Sequence, residues 1–390
     1  MTTRTQNTFP PPIVEARRWV DGVTFPPDRP LINVSQAAPV EPPPEALRRH
    51  MADIAMNDDS VHLYGPVLGL PELRSALAGE ISNHYGGDVD AGQVVITSGC
   101  NQAFAAVISA ITNEQDEVIL PTPWYFNHKM WLDMQGVTAV ALRTGDDLLP
   151  DPEAAAALIT PRTRAIALVS PNNPGGVEYP ASLLRAFYDL ANAHGIRLIV
   201  DETYRDFDSR TGAPHDLFTT PDWDDTLIHL YSFSKAYRLT GHRVGAFAAS
   251  PALVFEVEKF LDTVTICPSQ IGQRAALWGM QNLKQWLAGE RAEILDRRAA
   301  IAEGFPPLAD QGWKLLGLGA YFAYVEHPFA IPSDQLAQRL VRDAGILLLP
   351  ATMFAPPEEP SGARQLRIAF ANIDRAGISQ LFNRLQSLTF

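Results

Sequence analysis

The stretch AIALVSPNNPGGVEYPASLLRAFYDLANAHGIRLIVDETY (165–204) holds two short apolar runs, AIALVS (165–170) and RLIV (197–200), flanking a helix-period segment at 181–194. Each run is apolar at successive positions instead of alternating, the pattern of a strand covered on both faces. Strand, helix and strand at this spacing read as a βαβ unit with parallel pairing. The alternation continues outward, to VVIT (94–97) and EVIL (117–120) upstream and to LIHLYS (227–232) and VGAFAA (244–249) downstream. Helical periodicity recurs between them, at 101–111, 152–159 and 251–260. The expectation is an α/β fold with a mostly parallel central sheet sandwiched by helices, a large domain spanning 45–284. A helical stretch at 281–303 and shorter strand candidates at 321–325, 346–349 and 366–370 follow. These predict a smaller α+β domain, assembled from 285–390 together with 1–44. The stripe Leu283, Trp286, Leu287 and Ile294 reads as helix packing between the two.

Composition narrows the function. Among 390 residues, 31 Lys and Arg face 44 Asp and Glu, a net charge of −13. Such a chain lacks the cationic footprint that nucleic-acid binding requires. The two cysteines, Cys100 and Cys267, make neither a disulfide framework nor a structural zinc site, and their count fits a reducing compartment. None of the nine histidines has metal-ligand spacing, so no metal is expected. The N-terminus has no apolar core of a secretory signal, and no run approaches the roughly 20 apolar residues of a membrane span. A cytoplasmic protein without membrane partners is expected. Ten of the 32 prolines fall within the first 44 residues, which predicts a mostly extended segment rather than a helical one. Phe9, Ile13, Val14, Trp19 and Val20 are interleaved with them, so the segment reads as an arm docked on the body.

In open α/β sheets, ligands bind beyond the carboxyl ends of the strands. Ser98-Gly99-Cys100-Asn101 follows the first strand candidate and opens a helix, presenting free N–H groups to an anion. Ser232, Ser234 and Arg243 add hydroxyls and a fixed cation suited to phosphate. Asp201 ends a strand, where a carboxylate needs a cationic partner to stay ionised. Lys235 lies among apolar and hydroxyl neighbours, where a desolvated amine becomes nucleophilic. Tyr125 or Trp124 offers a flat face. Phosphate, flat ring, basic ring nitrogen and an amine that accepts an aldehyde together describe pyridoxal 5′-phosphate (PLP). Taken singly, Asp201 reads as a helix cap and Arg367 as an edge-strand charge; in combination the cofactor reading prevails.

SPNNPGG (170–176), DETY (201–204), SFSKAYRLTGHRVG (232–245) and LRIAFAN (366–372) resemble the signature set of the class I/II PLP-dependent aminotransferases of fold type I. YGPVLGLPELRSALA (64–78) and GLGAYF (317–322) resemble further stretches of that family. The resemblance runs from about residue 31 to 372. It implies that Lys235 carries the cofactor as an internal aldimine and moves the proton, and that Asp201 pairs with the pyridine nitrogen. Asn173 and Tyr204 match the pair on the ring oxygen, and Tyr125 the residue stacked on the ring. Gly99, Cys100, Asn101, Ser232, Ser234 and Arg243 match the phosphate cup. Tyr64 matches a tyrosine reaching the neighbouring subunit's phosphate, implying a homodimer with shared active sites. Arg367 matches the clamp on the substrate α-carboxylate, and the arm then lies over the site. The implied reaction is ping-pong transfer of an amino group from an L-amino acid to a 2-oxo acid. A C–S lyase or cyclase would share these motifs; a PLP-binding regulatory module would need a DNA-binding part that the chain does not offer. The chain departs from the family pattern at Gly175-Gly176, at Ala37-Ala38-Pro39 and at Cys100-Asn101.

Overall fold

The computed structural model describes residues 3–388. Thirteen strands occur among them. They are β1 (Ile32–Asn33), β2 (Val94–Thr97), β3 (Glu117–Thr122), β4 (Thr138–Arg143), β5 (Thr163–Val169), β6 (Arg197–Asp201), β7 (Leu227–Ser232), β8 (Gly245–Ala248), β9 (Lys314–Gly319), β10 (Phe322–Glu326), β11 (Ile346–Leu347), β12 (Leu349–Pro350) and β13 (Gln365–Ala369).

Seven of them form the central sheet in the order β2-β8-β7-β6-β5-β3-β4. The pairs from β7 to β4 are parallel, whereas β8 runs antiparallel to both β7 and β2. Alternate residues of the same strand enter different cores. Ile166, Leu168, Leu198 and Val200 pack on one face, and Ala165, Ala167, Ile199 and Leu230 on the other. That division is why the runs read as continuously apolar: both faces are covered by helices. Each such Leu or Ile contributes on the order of 1.5–3 kcal/mol by leaving water. β4 escaped the reading although it carries the apolar run AVAL (139–142); it lies at the sheet edge and both its ends are exposed.

A second sheet, β12-β13-β10-β9, is antiparallel throughout. The expected single strand at 346–349 is instead two. β11 pairs with β1 in a small parallel sheet, and β12 joins β13. The chain changes sheets at Leu348, which is fully buried.

The long helix Lys284–Gly304 bridges the cores as its apolar stripe predicts. Leu283 and Trp286 pack with the large-sheet core, Ile294 with the core of the second sheet, and Leu287 touches both.

The N-terminal segment departs from expectation in one part. Most of it is non-helical, as expected, but Pro12–Arg18 is an α-helix, preceded by a short 3-10 turn at Arg4–Asn7. Pro12 occupies the first helical turn, where a missing N–H costs nothing, so the proline run starts a helix instead of preventing one. The helix is docked: Ala16 is fully buried, in one apolar cluster with Phe126, Phe354 and Leu349, and Ile13 packs against that cluster.

Candidate active site

Strand register assembles the site. Val169 pairs with Asp201 across β5 and β6, Ser232 with Gly245 across β7 and β8, and Gly245 with Thr97 across β8 and β2. The ends of these strands therefore lie side by side, and the turns that leave them meet at one sheet edge. They enclose a cavity of about 330 Å³. Eleven of the thirteen residues singled out from the sequence line it: Cys100, Asn101, Tyr125, Asn173, Asp201, Tyr204, Ser232, Ser234, Lys235, Arg243 and Arg367. Gly99 lies just behind, against the Arg243 guanidinium. Tyr64 does not join the cavity and is 82% exposed on the surface.

The turn at Gly99 has φ +90°, and a Cβ there would strike Arg243. A Cβ on Gly245 would strike the backbone of Gly99 and Cys100. Two glycines thus let a guanidinium, a strand start and the N-terminus of the Cys100–Ile111 helix converge. Nη1 of Arg243 donates to the Thr240 carbonyl at 3.0 Å, and no ion pair ties Arg243 to a carboxylate among the described residues. Ser232 caps the short helix Phe233–Ala236, its side chain accepting from the Ser234 N–H, which places Lys235 one turn from the strand end.

Lys235 is buried. Its Nζ donates to the Ala37 carbonyl at 2.6 Å and stands 5.8 Å from the Tyr204 ring centroid. Burial lowers its pKa to about 8, helped by the positive charges of Arg243 and Arg367. Asp201 sits at the end of β6, with Oδ1 accepting the Thr203 N–H at 3.0 Å and Oδ2 lying 3.3 Å from His128 Nε2. Burial opposes its charge, yet the His128 ring and Thr203 outweigh that and hold the carboxyl below its usual value.

Sequence reasoning missed His128. It belongs to the Phe126–Gln135 helix, which was not anticipated, and it stacks on Phe104 with ring centroids 3.8 Å apart. The only signal was its place one helical turn beyond Tyr125. Of the two neighbouring aromatics, Tyr125 lines the cavity, whereas Trp124 packs in the core. The Tyr125 hydroxyl accepts from Asn127 at 2.9 Å and donates to Asn101 at 3.2 Å, and burial pushes its pKa up to about 12.

Arg367 lies on β13, flanked by β12 and β10, so it is not an edge-strand charge. It is 2% exposed. Nη1 donates to Asn173 Oδ1 at 2.8 Å and Nη2 to the Ser35 carbonyl at 2.5 Å, while the buried Nε has no partner. Burial lowers its pKa to about 10, opposed by the nearby tyrosines, so it stays charged at neutral pH. A buried guanidinium that meets only neutral groups is set to receive an anion.

Behind Asp201 the chain turns away and Glu202 faces a closed polar cluster. Its Oε2 accepts from Tyr85 and from His229 at 2.8 Å, with His215 at 3.5 Å. Burial opposes ionisation, but the His215 and His229 rings outweigh it and hold the carboxyl well below the usual carboxylate range. This cluster pins the turn that follows Asp201. Glu202→Leu leaves the Tyr85 hydroxyl and the His229 N–H buried without an acceptor, and lowers unfolding stability by about 3–5 kcal/mol. Urea unfolding at constant slope is the check, and a loss below about 1 kcal/mol would show that the cluster anchors nothing. Because the folded pKa lies below the ordinary 4.5, the Glu202 contribution is present above that value and is lost as pH falls through the folded pKa. The acid sensitivity of the variant should be correspondingly shallower.

Among the described residues no helix is long and apolar enough to cross a membrane, and no group of three or more His, Cys, Asp or Glu could hold a metal ion. The family profile described as aminotransferase class I and II matches residues 29–385. The chain is 27% identical to an aromatic aminotransferase of Arabidopsis thaliana over 395 aligned residues, covering 99% of this chain and 95% of that one. It is 31% identical over 303 residues to an arginine–pyruvate transaminase of Pseudomonas aeruginosa, covering 75% of each. Aspartate aminotransferase of Thermus thermophilus superposes with a TM-score of 0.88 at 25% identity, over 99% of this chain and 98% of that one.

Proposed function

The chain belongs to the aminotransferase class I and II family and is a transaminase, and from that premise we propose that its cavity binds pyridoxal 5′-phosphate and passes an amino group from an L-amino acid to a 2-oxo acid. One observation carries the reading. A lysine with a pKa near 8 and a carboxylate held ionised line one cavity with an arginine that has no carboxylate partner.

The residues fit the cofactor. The Cys100 and Asn101 N–H groups at the helix start, the Ser232 and Ser234 hydroxyls and Arg243 would hold its phosphate. The cradle left by Gly99 supports that assignment, since any side chain there would displace the guanidinium. Tyr125 would cover the ring face, Asn173 and Tyr204 would meet the ring oxygen, and Asp201 would face the ring nitrogen. When bound, the cofactor supplies a ring that delocalises the electrons of a bond broken at the substrate α carbon.

The chain supplies the rest. Lys235 Nζ, neutral above about pH 8, would hold the cofactor at its aldehyde carbon and would take and return the proton at the substrate α carbon. Asp201 keeps a negative charge where positive charge is needed, with His128 and Thr203 maintaining its ionisation. Arg367 offers a planar fork to the α-carboxylate and so fixes which bond at the α carbon faces Lys235.

We also take the chain as two domains, 45–284 and 1–44 with 285–390. The pairing of β1 with β11, and the presence of Ile32 and Val34 in the core of the second sheet, support that division. The exposed Met56, Leu63 and Tyr64 support a homodimer in which each copy completes its partner's site. The two free cysteines accord with a cytoplasmic setting.

The test is a half-reaction. Mixed with an amino donor alone, the loaded enzyme releases one oxo acid per site and stalls; a 2-oxo acid restarts it. Sustained product release from the amino acid alone would instead identify a lyase or cyclase.

A further inference from the structure

Arg367 stands in a row of residues that crosses the second sheet. Tyr324 of β10 pairs with Arg367 of β13 on one side and with Gly317 of β9 on the other. Gly317 is therefore two strand spacings from Arg367, about 10 Å away. The turn 172–176, which follows β5 of the central sheet, touches both ends of that row. At one end Asn173 Oδ1 accepts from Arg367 Nη1 at 2.8 Å. At the other end the turn lies directly on the backbone of β9.

Glycine permits this second contact. A Cβ on Gly317 would stand 2.1 Å from the Gly175 carbonyl oxygen, and one on Gly319 would stand 2.3 Å from that of Gly176. Leu148 closes the side of the seam, with its Cδ1 placed 2.9 Å from a Cβ on Gly317 and 3.0 Å from one on Gly175. The departure from the family pattern at Gly175 fits this arrangement, since a side chain there would press on Leu148 and on Asn172 Oδ1. The turn itself is held by its own bonds. Asn172 Oδ1 accepts the Gly175 N–H at 2.8 Å, the Asn172 carbonyl accepts the Gly176 N–H at 2.8 Å, and Asn172 Nδ2 donates to the buried Tyr179 hydroxyl at 3.2 Å. A braced turn that bonds Arg367 at one end and seats on β9 at the other fixes the second sheet against the cavity. The seam closes between two segments of one chain, so a second copy has no part in it.

Under the function proposed above, on which this inference rests, Arg367 holds the α-carboxylate of the amino donor. We propose that Gly317 and Gly319 are positioning residues for that clamp: by letting β9 seat on the turn, they set where the Arg367 guanidinium stands. To bring a methyl at Gly317 to ordinary contact, strand and turn would have to part by more than about 1 Å. A misplacement of about 1 Å, even far from the chemistry, costs on the order of 10²-fold.

The test compares two substrates of the cofactor-loaded enzyme. One is whichever of the twenty amino acids it converts fastest, and the other is the amine with the same side chain and no carboxylate. The ratio of their half-reaction rates reads the clamp, because both need the lysine and the cofactor equally. Gly317→Ala should lower that ratio at least about tenfold, while its affinity for pyridoxal 5′-phosphate, read by absorbance titration, changes less than about threefold. In Arg367→Gln, which already lacks the clamp, adding Gly317→Ala should slow the amino acid by less than about twofold. Leu148→Phe, a softer wedge in the same seam, should move the ratio in the same direction and serves where Gly317→Ala does not fold. An unchanged ratio in the folded variant, or an equal loss with and without Arg367, overturns the proposal and leaves the seam a scaffold only. An enzyme that converts none of the amino acids and shows no visible absorption band fails the earlier reading instead, so the two failures are told apart.

Discussion

Lys235→Ala loses transamination, with kcat lower by at least about 10⁴-fold, and loses the visible band of the bound cofactor. Lys235 is the one lysine among the cavity's lining residues, so no neighbouring amine replaces it. Under the proposed function it would both hold the aldehyde and move the α proton, and losing both roles exceeds the loss of an acid–base group alone. Absorbance and single-turnover rates read the two roles separately. A variant that retained band and turnover would sink the assignment of the whole site. The amine adds a pH test. Its pKa near 8 predicts that capture of an aldehyde by the cofactor-free protein speeds up as pH rises through about 8. A midpoint near the ordinary 10.5 would mean that the burial and the two arginines do not act on it. Arg243→Gln, which removes one of the positive charges, should move the midpoint upward.

Asp201→Asn preserves shape and removes charge. The expected fall in kcat is about 10²–10³-fold, the scale on which one preorganised electrostatic contact acts. The amide still accepts from the Thr203 N–H but no longer supplies a negative charge beside His128. The signature is therefore a loss in kcat with the fold intact by circular dichroism. His128→Phe keeps the stack on Phe104 and removes the ring nitrogen at 3.3 Å from Asp201. As a positioning change it should cost less, and it should show as a shift of the acid limb of the pH–rate profile. Wild-type turnover in Asp201→Asn would separate the carboxylate from the chemistry.

The sequence made the central sheet legible because its strands are buried on both faces, so apolar runs at 165–170, 197–200 and 227–232 stood out without any alternation to decode. β4 carries an apolar run of its own, AVAL at 139–142, and was passed over; it is an edge strand with both ends exposed. Cavity-lining residues such as Cys100, Asn173, Asp201 and Ser234 were legible because they stand at or just after strand ends, where backbone direction dictates what converges. His128 was not, because it reaches Asp201 from the middle of a helix, and nothing local distinguishes it from a core histidine. The N-terminal helix was hidden by its own prolines: three in a row argue for extension, yet the last of them is also the residue best suited to begin a helix. Ile13 was visible as an apolar residue but not as a wall of the cavity, because only the docking of that helix brings it there.

Ser35 and Ala37, two positions apart, supply the carbonyls on Arg367 and Lys235. These bonds span 332 and 198 positions of sequence. The cavity is therefore assembled from very distant segments, and a chain growing on the ribosome cannot close it until β13 has emerged. Long-range closure of this kind is slow relative to local helix formation. Nascent chains thus acquire helices well before they complete this cavity, and a large fusion placed at the N-terminus would hinder that last closure more than the formation of the helices.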